Sequence, residues 1–105
     1  MVYKSMLIYK AVNKINKKIY VGQTTKSLSY RRKRHEWDKT GYPFSNAMFK
    51  YGRSNFTWEI LEHCDSKEEL DEMEFHYIKQ YNCIRPNGYN LTSGGEGTPG
   101  RTVTK

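Results

Sequence analysis

Cysteine is scarce in this 105-residue sequence, with only Cys64 and Cys83. That density excludes a small secreted scaffold stapled by disulfides and fits a reduced, intracellular chain. Long apolar runs are also missing, the longest being Met6 to Tyr9. A bilayer span needs about 20 such residues and a secretory signal an apolar core of roughly 7 to 15, so neither membrane insertion nor export is expected. Acidic residues are rare in the first forty positions, two against eleven basic ones (+9), whereas residues 41 to 105 carry nine acidic and seven basic side chains (−2). Such asymmetry suits one face built for a polyanion. What is present is aromatic: 14% Phe, Trp and Tyr within 36% hydrophobic residues, too much for a disordered chain. The length allows one core, expected over residues 1–92, with 93–105 a Gly-rich tail or linker.

Met6 to Val12 and Lys18 to Gly22 alternate in the manner of strands, and the Asn-bearing stretch between them reads as a hairpin turn. With Lys14 and Ile15 at its tip, Tyr9 would lie directly opposite Tyr20. Tyr9, Tyr20 and Gly22 would share one face, and Ile8, Ile19 and Val21 the other. Ser27 to about Thr40 reads as a helix capped by Ser27 and stopped by Gly41 and Pro43, and Ser45 to Tyr51 as a second helix ended by Gly52. Asn55 to His63 has strand spacing that puts Phe56, Trp58 and Ile60 on one side. Ser66 to Tyr81 opens with a capping box of Ser66 and Glu69 and carries the apolar stripe Leu70, Met73, Tyr77, Ile78, Tyr81. The elements predict an α+β fold in the order ββααβα, a three-stranded antiparallel sheet flanked by helices.

One residue breaks the pattern of the last helix. Glu74 falls on the same face as Leu70, Met73, Tyr77 and Ile78, and a carboxylate there requires compensation. Two compensations are open: an ion pair with a nearby Lys or Arg, which the residues alone favour, or a hard cation such as Mg²⁺, which needs only one or two protein carboxylates. Arg31 and His35 project from one side of the first helix at i, i+4, where a guanidinium could stabilise a phosphate in its transition state or simply join a solvated basic face. Arg32, Lys33 and Arg34 fan around the same helix as backbone-phosphate contacts. His63, Cys64, His76 and Cys83 lack zinc-site spacing. Ser93 to Gly97 has the glycines of a phosphate loop without its strand or lysine, and reads as linker.

Leu7-Ile8-Tyr9, Tyr20-Val21-Gly22 eleven residues later, Arg31 with His35, Glu74 and Asn90 stand in this order across residues 7–90. Together they resemble the GIY-YIG nuclease superfamily, with the greatest similarity to the catalytic domains of phage and intron homing endonucleases. Leu7 and Val21 depart from the motif letters but only flank the tyrosines, and Gln23 stands where the excision-repair branch commonly has lysine. The resemblance implies a small antiparallel sheet with flanking helices and hydrolysis of a DNA phosphodiester to 5′-phosphate and 3′-hydroxyl ends. It implies Mg²⁺ or Mn²⁺ on Glu74, Tyr9 as general base, Tyr20 orienting water or phosphate, and Arg31 stabilising charge. His35 would assist proton movement or phosphate contact, and Asn90 would position backbone or substrate. Arg32, Lys33, Arg34 and Gly22 are the candidate DNA contacts.

The ordered motif set reverses the preference for an ion pair at Glu74. The competing reading is a non-catalytic nucleic-acid-binding module. Homing relatives generally carry a separate DNA-binding region after the nuclease domain, so such a region is an expected partner, and this chain is either an excised catalytic domain or a small free-standing nuclease with little sequence specificity of its own.

Overall fold

The computed structural model describes residues 6–37 and 41–93. Its alternating N-terminal stretches form β1 (Leu7–Asn13) and β2 (Ile19–Thr24), which pair antiparallel. β3 (Phe56–His63) joins the far side of β1, giving the sheet order β2-β1-β3. With α1 (Leu28–Glu36), α2 (Pro43–Tyr51) and α3 (Lys67–Tyr81), and a single 3₁₀ turn at Arg53–Asn55, the chain has the expected α+β architecture.

The hairpin register differs from expectation. Tyr9 faces Gly22, and Tyr20 faces Ala11. The cause is a longer turn, closed by Asn13 N donating to Lys18 O at 3.0 Å, with Lys17 in the left-handed region at φ 71°. Asn13 Oδ1 accepts from Ile15 N and Asn16 Oδ1 from Lys18 N, so both asparagines hold the turn through their side chains. A shift of two residues preserves parity, so Tyr9, Tyr20 and Gly22 still share a face. On β3 the register slips where Tyr9 pairs with Ile60 but Ile8 with Glu62, leaving Leu61 as a bulge that turns toward the opposite core. Ile60 is accordingly 41% exposed, while Phe56 is buried on the shared face.

Helix ends follow local chemistry. Ser27 Oγ accepts from Tyr30 N and opens α1, which stops at Glu36 rather than near Thr40; there Arg53 Nε donates to the Glu36 carbonyl at 3.1 Å and takes over a terminal acceptor. Residues 38–40 lie outside the described residues. α2 begins at Pro43, two residues before the expected Ser45, because proline at the first helical position lacks only an N–H that the helix would not use. In α3 the Ser66 hydroxyl accepts from Glu69 N, but the Glu69 carboxylate accepts from Asp65 N rather than from the cap residue itself.

The sheet separates two cores. Ile8, Val21, Cys64, Leu70, Ile78 and Cys83 pack between one face and α3. Ala11, Phe44, Ala47, Met48, Phe56 and Tyr89 pack between the other face and α2. Both cysteines are free, and burial pushes each thiol up to about 11. After α3 the chain returns along β2: Tyr89 N donates to Ile19 O at 2.9 Å, and the Asn90 side chain bonds both backbone groups of Val21. The expected Gly-rich tail lies outside the described residues beyond 93. Among the described residues no helix is long and apolar enough to cross a membrane.

Candidate active site

Tyr9 leaves β1 on the face opposite α3 and is fully buried, 0% exposed. The residue paired with it must be glycine. A Cβ at position 22 would sit 2.5 Å from Tyr9 Oη and 2.9 Å from Tyr20 Cε2, so Gly22 lets the two phenols lie across β2 with ring centroids 6.3 Å apart. The i, i+4 spacing on α1 brings both expected partners onto Tyr9: His35 Nε2 lies 2.7 Å from its hydroxyl and Arg31 Nε donates to it at 3.4 Å. Tyr20 stacks on Phe44 at 4.3 Å, and the His35 ring meets both edge-on at 5.3 and 4.8 Å. The imidazole is thereby held in one orientation.

Burial raises the Tyr9 pKa strongly, the neighbouring Tyr20 adds to the rise, and Arg31 offsets part of it. The phenol therefore keeps its proton while its hydroxyl is hydrogen-bonded to His35 Nε2. A tyrosine whose folded pKa exceeds its unfolded value of about 10 contributes stability below that pH and loses it as pH rises beyond. Alkaline titration of the unfolding free energy should show a steeper fall above about pH 10 in the wild type than in Tyr9→Phe. Parallel curves would contradict the buried, protonated phenol.

Glu74 reaches the same place from α3. It is half-buried and lines a cleft of about 190 Å³ together with Tyr20, His35, Phe44, Ser45 and Asn90. Its charge is also felt at Tyr9. Gln23 Nε2 donates to Glu74 Oε1 at 2.9 Å and to Asp71 Oδ1 at 2.7 Å, while Lys67 Nζ donates to Gln23 Oε1 and to Asp71 Oδ1, both at 2.8 Å. Asp71 is 1% exposed. Sequence reasoning missed this support, although a signal was present: Asp71, Glu74 and Ile78 stand at i, i+3, i+7 and so share a face.

The structure thus brings Tyr20, His35 and Glu74 to one cleft, with Tyr9 buried behind His35 and Arg31 reaching the Tyr9 hydroxyl. Asn90 lies at its rim with its amide engaged by the backbone of Val21, at 2.9 Å to N and 2.8 Å to O, which fixes β2 beside Tyr20. Gly22, expected among the DNA contacts, has the Tyr9 phenol over it. Arg32, Lys33 and Arg34 point outward and are exposed, with Arg32 bound to Glu36 at 3.0 Å. For a cation, the cleft offers one carboxylate set among phenol and imidazole. No group of three or more His, Cys, Asp or Glu is arranged to hold a metal ion among the described residues. That donor set suits a hard ion that retains most of its water, as Mg²⁺ does, and not a closed structural zinc.

Residues 5–90 match the family model of the GIY-YIG catalytic domain. The segB and segD proteins of Enterobacteria phage T4, both provisionally named endonucleases, are 41% identical over 90 residues and 33% over 93. These alignments cover 85% and 89% of this chain but 38% and 40% of the phage proteins, so the chain spans about two fifths of their length. Among solved structures, the catalytic domain of the homing endonuclease I-TevI superposes with a TM-score of 0.71 at 31% identity, covering 83% of this chain and 98% of that one. A mutant form of the same intron endonuclease domain gives 0.74 at 30%, covering 85% and 95%. The chain belongs to the GIY-YIG family of endonuclease catalytic domains.

Proposed function

We propose that this domain hydrolyses DNA phosphodiester bonds to 5′-phosphate and 3′-hydroxyl ends with Mg²⁺ or Mn²⁺ held by Glu74. The observation that carries the reading is the convergence of Tyr20, His35 and Glu74 on one cleft, with Arg31 reaching the same phenol as His35. When bound, the ion would offset negative charge on the scissile phosphate and the departing 3′ oxygen. Arg31 adds a fixed guanidinium for the same charge. Asn90, by fixing Val21, holds Tyr20 at the cleft wall.

Direct abstraction of a water proton by Tyr9, as the resemblance implies, needs water to touch an oxygen that has no exposed surface. Tyr20 lines the cleft and is the phenol suited to meet water or phosphate. Behind it the Tyr9 hydroxyl holds the His35 ring through Nε2, and His35, which lines the cleft, is the group placed to take the proton that the attacking water loses, at its other ring nitrogen. Gln23 keeps the Glu74 carboxylate facing the cleft.

Supercoiled plasmid incubated with the protein should be nicked in Mg²⁺ and left intact in EDTA, and DNA ligase should reseal the nicks without prior end treatment. Nicking in EDTA, or nicks that ligase cannot close, would overturn the reading. Arg31→Ala is expected to slow nicking about 100-fold, the scale for loss of one preorganised charge donor. Gln23→Leu should slow it about 10-fold, as a lost supporting contact does, and should lower the melting temperature as well, because the buried Asp71 carboxylate loses a donor.

A further inference from the structure

We infer that a second surface, the concave face between the end of α1 and α2, takes the duplex beside the scissile phosphate, with Phe49 pressing against base steps. This rests on the nuclease reading and deepens it. Phe49 projects from α2 and is 86% exposed, the most open large apolar side chain among the described residues. It forms one wall of a concavity of about 210 Å³ with Met48, Gly52 and Arg53, faced by His35 and Glu36 of α1. His35 and Ser45 line both this concavity and the catalytic cleft, so the two are adjoining depressions. Whatever polymer fills one continues over the other.

Charge names the polymer. From Leu28 to Arg53 the described residues include six cations, Arg31, Arg32, Lys33, Arg34, Lys50 and Arg53, against one carboxylate, Glu36, which Arg32 already binds at 3.0 Å. Arg53 is set in place twice, by donating to the Glu36 carbonyl at 3.1 Å and by lying over the Trp37 ring at 5.1 Å. An apolar side chain left in water beside a fixed guanidinium, with Lys50 next to it in α2, suits the phosphate-flanked grooves of DNA. Phe is among the side chains that nucleic-acid-binding proteins insert as wedges from the minor groove, kinking the duplex.

Fluorescence anisotropy of a labelled 30-bp duplex, in EDTA and across a KCl series, tests this with the full chain. Phe49→Ala should weaken binding about 5- to 50-fold at every salt concentration with an unchanged salt slope, since stacking contacts are worth that scale. The paired change Lys50→Ala, Arg53→Ala should instead reduce the slope by about two, one for each lost phosphate contact. Duplex labelled at both ends should report a bend by energy transfer that Phe49→Ala removes. Wild-type affinity and bend in Phe49→Ala would overturn the inference, as would a Phe49→Ala change that only dissolves a dimer on gel filtration and marks the patch as a self-contact. Either result would leave plasmid nicking, and the nuclease reading with it, standing; a wild type that does not nick refutes that reading whatever Phe49 does.

Discussion

Glu74→Gln is expected to lower the single-turnover rate of plasmid nicking about 1,000-fold or more, the largest loss of activity among substitutions in the cleft. The change removes one charge and keeps the shape. Gln23 Nε2 can still donate to the oxygen that remains, so the support from Gln23, Asp71 and Lys67 persists and the melting temperature should not fall. Duplex affinity in EDTA should hold or improve, because a carboxylate facing a phosphate opposes binding unless a cation stands between them. Rate, fold and affinity therefore separate cleanly. A variant that nicks at the wild-type rate would remove Glu74 from the chemistry. One that loses affinity and rate together would make it a binding residue.

Asn90→Ala should produce the largest loss of stability. The Asn90 side chain is 6% exposed and does for β2 what a neighbouring strand would do, accepting from Val21 N at 2.9 Å and donating to Val21 O at 2.8 Å; it also accepts from the Cys83 thiol at 3.1 Å. Alanine leaves both backbone groups of a fully buried residue bare. At about 1–3 kcal/mol for each unsatisfied group, the cost is about 2–6 kcal/mol, a large share of the 5–15 kcal/mol that holds a typical domain together. A melt followed by circular dichroism should shift down by well over 10 °C. A shift below about 3 °C would mean that water or a relaxed backbone satisfies Val21.

The same clamp shows how far the sequence could be read. Asn90 was visible as a motif residue, and its task of positioning backbone was legible, but its partner was not, because nothing local ties residue 90 to residue 21. The sheet, its helices and the face shared by Tyr9, Tyr20 and Gly22 followed from alternation and spacing, which depend on parity alone. The register did not follow. It rests on the left-handed Lys17 and on two asparagine side chains that fold back on the turn, and such local bonds leave no periodic trace. Glu74 stood out as a charge in an apolar stripe. Asp71, buried one turn earlier, did not, because Lys67 at i−4 gives it the look of a solvated ion pair. The burial of Tyr9 is a tertiary product that includes α1, whose Arg31 and His35 reach its hydroxyl, and no spacing within β1 announces it.

The central claim is that the Glu74 carboxylate, set opposite Tyr20 and His35, holds the divalent ion against the phosphate to be cut. Crystals of the chain grown with uncleaved duplex and Mn²⁺ would test it most directly through the anomalous signal of the metal. The account predicts one strong peak at about 2 Å from a Glu74 oxygen, touching the scissile phosphate, with the Arg31 guanidinium on the same phosphate group. A peak on other side chains, or a scissile phosphate seated away from Glu74, would contradict it.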